Sequence, residues 1–197
     1  DFVPSRGLGD VYKRQSWKHK FSDDLILTAG ITSLFINIEE NNVANSITNF
    51  SPIEPRIGLK WNVNDKSAFS LGLGYHSQTQ PLYSRYYINE GNSSAHNQGL
   101  DLTYSKHLVV GYSHKLNKDF GLKTEAYYQD LTGIPVEASP SAFSLPNAGS
   151  GFFRVFPDTL VNTGTGYNYG LEVTLQRYFN KNWHALFSGC LYNSKYT

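Results

Sequence analysis

Several side chains belong to types that catalyse reactions or bind metals, so their spacing decides which chemistry they support. The six histidines form neither a close pair nor the HExxH pattern of a zinc site. They are His19, His76, His96, His107, His114 and His184. Asp101, Ser105 and His107 are the residue types of a hydrolase triad, but a triad is recognised by geometry and not by co-occurrence. We therefore predict no catalytic residue, no metal site, no cofactor and no enzymatic activity.

The glycine pairs and the single cysteine point to no small-molecule site either. Gly72/Gly74 and Gly164/Gly166 lack the Lys-Ser/Thr that follows a phosphate-binding loop, so we interpret them as bends or close contacts in strands. Cys190 is the only cysteine, which excludes an intrachain disulfide and a metal-binding cysteine pair. The net charge of +1 gives no case for nucleic-acid binding.

The elements that must position these residues are β-strands, because apolar and polar side chains alternate with a period of two. Phe69, Leu71, Leu73 and Tyr75, for example, share one face of their segment. About eight such segments are predicted, at 13–21, 25–38, 53–63, 67–80, 101–116, 120–137, 167–179 and 183–196. Several exceed the about five or six residues of a typical soluble strand and match the about 9–11 that a tilted membrane strand needs.

Short and long connections alternate between the predicted strands. The short turns are rich in Asn and Asp, which tolerate turn conformations; they lie at 22–24, 64–66, 117–119 and 180–182. The long polar connections lie at 39–52, 81–100 and 138–166. Outer-membrane barrels combine short periplasmic turns with long extracellular loops, so this alternation favours an antiparallel up-and-down transmembrane β-barrel.

The composition agrees with a barrel wall. Aromatic residues make up 15% of the chain and charged residues 17%, with 14 Tyr, 12 Phe and 17 Gly, which favours strands and turns. No apolar run reaches about 18 residues, so no transmembrane helix is predicted. Aromatic residues near strand ends, among them Trp61, Tyr128, Tyr169 and Trp183, fit the two aromatic girdles of a membrane barrel.

Several segments resemble the C-terminal half of the barrel of TonB-dependent outer-membrane receptors, of the type with a carboxypeptidase-regulatory-like N-terminal domain. The resemblance covers roughly residues 21–197, and its most specific part is 164–179, where Gly-Thr-Gly leads into a long alternating strand. The segments are EPRIGLKW (54–61), QPLYSRYY (80–87), HLVVGYSHKL (107–116), GIPVE (133–137), SAFSLPNAG (141–149), LVNTGTGYNYGLEVTLQRYF (160–179) and LYNSKY (191–196).

The resemblance implies a barrel of about 22 strands with a lumenal plug, in the outer membrane of a Gram-negative bacterium. It implies energised uptake of a scarce nutrient such as a metal chelate, a vitamin or a glycan. The implied partners are outer-membrane lipid, the rest of the barrel with its plug, and TonB through an N-terminal region. Neither the plug nor that region is recognisable in this chain.

We expect the chain to be a fragment of such a barrel. It contains no methionine and no signal segment. If the short turns are periplasmic, both ends of an eight-stranded piece lie outside the cell, and an isolated piece leaves two unpaired edges. Residues 1–15 lack periodicity and resemble a junction sequence found at the ends of assembled environmental reads, so we assign 1–15 as a non-native junction and 16–197 as partial receptor barrel.

Two sets of residues are candidates for contacts with cargo or plug. Charged side chains on the predicted polar faces contact the plug or a charged substrate, or else solvate the barrel interior; they are Arg56, Lys60, Lys123, Glu125 and Glu172. His76 and His107 are expected to face the lumen. The loop 138–166 is the best ligand-contact candidate, since exposed loop aromatics favour recognition, although its rings also suit packing within the loop. Its candidate residues are Phe143, Phe152, Phe153, Arg154 and Phe156.

Two other architectures remain open from the sequence. A complete small outer-membrane barrel, acting as an adhesin or scaffold, requires its first and last strands to pair. A soluble β-sandwich that binds carbohydrate requires its apolar faces to be buried against each other. The exposure of Leu71, Leu73, Leu171 and Val173 separates the sandwich from both barrels.

Overall fold

The computed structural model describes residues 8–38, 47–50, 52–81, 84–85, 97–148, 159–180 and 182–197. In these ranges the chain is almost entirely β-structure. The strands are β1 Leu8–Lys20, β2 Leu25–Ile38, β3 Ile47–Phe50, β4 Glu54–Asn62, β5 Ser67–Gln78, β6 Thr103–Lys115, β7 Phe120–Glu137, β8 Leu160–Asn180 and β9 Trp183–Tyr196, with a short 3₁₀ turn at Leu145–Ala148. Among the described residues, no helix has the length and apolar character needed to cross a bilayer.

The described strands form one antiparallel sheet in the order β1-β2-β4-β5-β6-β7-β8-β9, and the short β3 pairs with β2 beside this path. Each long strand therefore pairs with its neighbours in sequence, which is up-and-down topology. Strands β1 and β9 occupy the two edges, so the described sheet is open and not closed on itself. The predicted fold class, an all-β antiparallel up-and-down sheet of about eight long strands, is confirmed.

The strand ends that short turns join lie at one end of the sheet, here called the short-turn end, and the strand ends that long connections join lie at the other, the long-loop end. The turns are stabilised as their composition predicts. Asn64 Oδ1 accepts hydrogen bonds from the amides of Lys66 and Ser67, both at 2.9 Å. Asn117 does the same for the amides two and three residues after it, at 2.8 and 3.0 Å.

Three element boundaries differ from the sequence prediction. β8 begins at Leu160 and not at residue 167, because the pairing of β7 with β8 continues through two irregularities as far as Glu137 and Leu160. The short β3 lies within the predicted loop 39–52. β1 begins at Leu8 and pairs with β2 along its whole length, so residues 8–15 share the sheet. Backbone pairing says nothing about their origin, and their assignment as a junction stays a prediction.

The first irregularity in β7 is centred on Gly133. This residue has a φ of +68°, in the left-handed region that favours glycine. It also lies close to the carbonyl oxygen of Leu102, which would be 2.8 Å from a Cβ atom added at Gly133. A glycine is therefore required both by the backbone conformation and by the close approach of the segment that enters β6.

The buried apolar side chains of the described residues gather at the long-loop end. They are Leu100, Leu102, Leu131, Ile134 and Leu160, here called the long-loop cluster. Two of them lead into β6, two lie near the end of β7 and one begins β8. The rest of the described sheet has one layer, so its apolar side chains have no second layer to cover them.

Candidate functional site

One face of the sheet carries a continuous apolar row. Its members lie directly opposite one another on successive strands from β2 to β9, and opposite residues in an antiparallel pair share a face. They are Leu27, Leu59, Leu71, Val110, Ala126, Leu171 and Leu191. The alternation seen in these strands therefore produces one apolar face from β2 to β9.

The apolar face is exposed in the described structure. Leu71, Leu73, Leu171 and Val173 are 38%, 45%, 43% and 41% exposed. In a β-sandwich such rows pack against a second sheet and are buried. These exposures exclude the sandwich for the described sheet, and an exposed apolar surface of this extent marks an interface with lipid or with another molecule.

Aromatic side chains flank the aliphatic row on both sides. Towards the short-turn end, Trp61, Phe69 and Tyr112 are directly paired, and their ring centroids are 6.3 and 4.9 Å apart in turn. Towards the long-loop end, Tyr128 pairs with Tyr169. Trp61, Phe69 and Tyr112 lie near strand ends as predicted, whereas Tyr128 and Tyr169 lie in the middle of the long strands β7 and β8.

The opposite face is polar, and it carries the five charged residues assigned to it from the sequence. Arg56 donates a hydrogen bond to Thr32 Oγ1. Lys123 Nζ lies 2.6 Å from Glu125 Oε2, and Glu172 Oε1 accepts a hydrogen bond from Ser188 Oγ at 3.3 Å. Most of these charges thus have polar neighbours on the same face.

A chain of uncharged hydrogen bonds crosses the polar face near the long-loop end. Tyr196 OH donates to Asn168 Oδ1 at 3.2 Å, and Asn168 Nδ2 donates to Gln129 Oε1 at 2.8 Å. Gln129 Nε2 donates to Ser105 Oγ at 2.8 Å and lies 3.2 Å from His107 Nε2. We call these five residues the polar ladder. It links β9, β8, β7 and β6 through side chains alone.

The ladder has a direction, because each amide accepts at its oxygen and donates at its nitrogen. The Gln129 amide nitrogen thus faces His107 Nε2 at 3.2 Å, and this ring nitrogen can accept from it in one of its two neutral tautomers. A neutral ring that accepts at Nε2 carries its proton on Nδ1.

His76 and His107 both lie on the polar face, as predicted, with their rings edge to face and centroids 5.0 Å apart. His76 Nδ1 lies 3.9 Å from Glu54 Oε2. Within the described ranges, no three His, Cys, Asp or Glu side chains are placed to hold a metal ion. His96 lies outside the described residues.

The three residue types of a triad are only partly brought together. Ser105 Oγ lies 2.7 Å from His107 Nε2. Asp101 Oδ1 accepts instead from the Leu102 amide at 2.7 Å, and Gln129 Nε2 lies 3.2 Å from the same His107 nitrogen that Ser105 contacts. A triad needs the acid on the far nitrogen of the histidine. The contact between Ser105 and His107 therefore belongs to the polar ladder and not to a catalytic triad.

Gln129→Leu is expected to destabilise the full-length protein by about 1 kcal/mol, because Asn168 Nδ2 and His107 Nε2 each lose a partner. The loss of stability is limited because water can reach the partly exposed partners and hydrogen-bond to them. Gln176→Leu is the matched control, since Gln176 lies on the polar face of β8 and is exposed. Urea unfolding monitored by tryptophan fluorescence measures both. Equal midpoints for the two variants would show that the ladder does not stabilise the sheet.

The connections at the long-loop end are tied to the sheet by side-chain amides. Asn162 Nδ2 donates to the carbonyl oxygens of Asp101 and Gly133, at 3.2 and 2.8 Å, while its Oδ1 accepts from the Asp101 amide at 2.8 Å. Gln80 Nε2 donates to Thr103 Oγ1 at 2.8 Å. These bonds hold the entry to β6, the bulge in β7 and the start of β8 in one place.

The candidate ligand-contact loop is described only in part. Phe143 is half-buried next to an isolated bridge between Val136 and Ser144, so it packs near the end of β7. Phe152, Phe153, Arg154 and Phe156 lie outside the described residues, and their role in ligand contact stays a prediction. The polar ladder and the long-loop cluster are the two groupings that the sequence reasoning missed.

The structure is similar to parts of two solved transporter structures. The chain matches no protein-family model and no curated protein sequence. Its structure is similar to the FrpB iron transporter of Neisseria meningitidis (F3-3 variant), with a TM-score of 0.66, 15% identity, and coverage of 96% of this chain and 27% of that chain. It is also similar to the copper transporter OprC, with a TM-score of 0.65, 10% identity, and coverage of 94% and 28%.

The chain thus spans about a quarter of the length of these two transporters, 27% and 28%. Sequence identities this low support a shared fold only. The similarity covers nearly all of the present chain, 96% and 94%. From its topology and these likenesses, the chain has the fold of part of the β-structure of these two transporters.

Proposed function

We propose that this chain is part of the barrel of a TonB-dependent receptor that takes up a scarce nutrient through the outer membrane of a Gram-negative bacterium. The observation that carries the proposal is the unbroken apolar row from Leu27 to Leu191, whose side chains are exposed or half-buried on one side of a single sheet. Outer-membrane barrels present such a face to hydrocarbon and a polar face to the lumen.

The two neighbours support transport as the activity, since they are an iron and a copper transporter. In this proposal the cargo is a metal chelate, a vitamin or a glycan, and the chain contributes to binding and passage and not to catalysis. The short-turn end lies in the periplasm and the long-loop end faces outwards. The remaining barrel strands pair with the edges β1 and β9, a plug fills the lumen, and TonB contacts an N-terminal region.

A test of the orientation uses single cysteines in the full-length receptor, with Cys190 replaced by serine. Leu108→Cys and Val110→Cys place a fluorescent label on the apolar face of β6, and Val109→Cys places it on the polar face between them. In outer-membrane vesicles, lipid-borne quenchers are expected to quench the first two labels and spare the third. Equal quenching on both faces, or recovery of the receptor in the soluble fraction, contradicts the proposal.

A further inference from the structure

A concave surface of 490 Å³ lies on the polar face at the short-turn end. Four of its lining residues are lysines from different parts of the chain: Lys60, Lys66, Lys115 and Lys123. We call this surface the lysine basin. Its size falls in the range of about 300–1,000 Å³ that small-molecule sites occupy.

Three of the four lysines lack a carboxylate partner among the described residues. Lys123 is paired with Glu125 at 2.6 Å. No comparable pair is found for Lys60, Lys66 or Lys115 within the described ranges. Two aspartates, Asp24 and Asp65, also line the basin, so positive charges are in excess there.

Two of the unpaired lysines are immediate neighbours. The Lys115 amide donates to the Lys66 carbonyl oxygen at 2.8 Å, so the two residues lie side by side on adjacent segments. Like charges in such positions destabilise a sheet. An anion held between the two ammonium groups would offset that repulsion and accept hydrogen bonds from both.

Other lining groups supply further donors and shape the wall. Asn62 and Gln176 carry side-chain amides, and Tyr178 carries a hydroxyl. The Tyr178 ring lies over Gly121, where any side chain would collide with that hydroxyl. Because Gly121 has no side chain, the Tyr178 ring can lie over β7 and form one side of the basin.

We infer that the lysine basin binds an anionic solute through carboxylate or phosphate groups. The inference rests on the proposed function, under which the basin lies at the periplasmic mouth of the lumen, where cargo leaves. It narrows the cargo to solutes that carry negative charge when they reach this mouth. It concerns a surface that neither the loop candidates nor the polar ladder includes.

The experiment measures binding of citrate and of inorganic pyrophosphate to the purified full-length receptor by isothermal titration calorimetry. The lysine variant is Lys60→Gln/Lys115→Gln, and the matched control is Lys118→Gln, an exposed lysine in the turn at the same end that does not line the basin. We expect binding of at least one anion, weakened about tenfold in the double variant by loss of two exposed charge contacts, and unchanged in the control. Binding should also weaken as salt is added.

Two results would overturn the inference. One is that the wild-type receptor binds neither anion, and the other is that all three proteins bind alike. Neither of these results affects the quenching test, so failure of the basin and failure of the receptor assignment are distinguishable.

Discussion

Val110→Lys is expected to lower the free energy of unfolding of the full-length receptor in lipid vesicles by about 2–4 kcal/mol. Val110 lies in the middle of the apolar row, directly paired with Leu71 on one side and Ala126 on the other, and it is 47% exposed. If hydrocarbon covers this surface, the new ammonium group has no water and no carboxylate within reach. The free energy needed to place a charge at the bilayer midplane then destabilises the folded state alone.

Val109→Lys is the matched control, because it makes the same substitution one residue away on the opposite face. Val109 is half-buried and lies opposite Gly72, beside a shallow groove that leaves room for a longer side chain. We expect a loss below about 1 kcal/mol there, since charge is tolerated in the lumen. Urea unfolding in vesicles compares the two variants. Similar losses would mean that the apolar face is not the one in contact with lipid.

The apolar face was predictable because it depends on local information. Side chains two apart in a strand share a face whatever the strand pairs with. Leu71 and Leu171 therefore had to lie on apolar faces once their segments were strands. The alternating lengths of the connections then placed all short turns at one end, and the pairing of sequence neighbours followed.

The polar ladder was not predictable, because it depends on register between distant strands. Gln129 and Asn168 are far apart in sequence, and their contact requires that β7 and β8 pair with these two residues opposite each other. A shift of one residue would turn either side chain to the other face. Periodicity within a strand does not determine that register.

The early start of β8 escaped prediction for a related reason. The polar segment 160–166 contains two glycines and reads as loop, yet it pairs with the end of β7 beyond the bulge at Gly133. The pairing depends on tertiary contacts, including the Asn162 amide on the Gly133 carbonyl oxygen. Apolar residues near the loops, such as Leu102 and Leu160, are in turn buried by this extension.

Ile134→Ala is expected to remove about 2–5 kcal/mol of stability from the long-loop end while leaving the strand pairing of the sheet intact. The Ile134 side chain is fully buried, at 0% exposure, which no apolar side chain on the exposed row approaches. Its Cβ would lie 3.1 Å from a Cβ added at Gly164, so β8 packs closely against it. Truncation leaves a cavity between β7 and β8, and neighbouring backbone relaxes only in part.

Amide hydrogen exchange of the full-length receptor measures this loss of stability at the long-loop end. The amides of Asp101 and Leu160 donate to Asn162 Oδ1 and Asn97 Oδ1, both at 2.8 Å, and they should exchange faster in the variant. The amide of Val110, in mid-sheet, should not. Ile57→Ala is the control, because Ile57 is 49% exposed on the apolar face. If both variants speed exchange equally at the long-loop end, the cluster is not what orders it, and the side-chain amides must hold the connections without an apolar core.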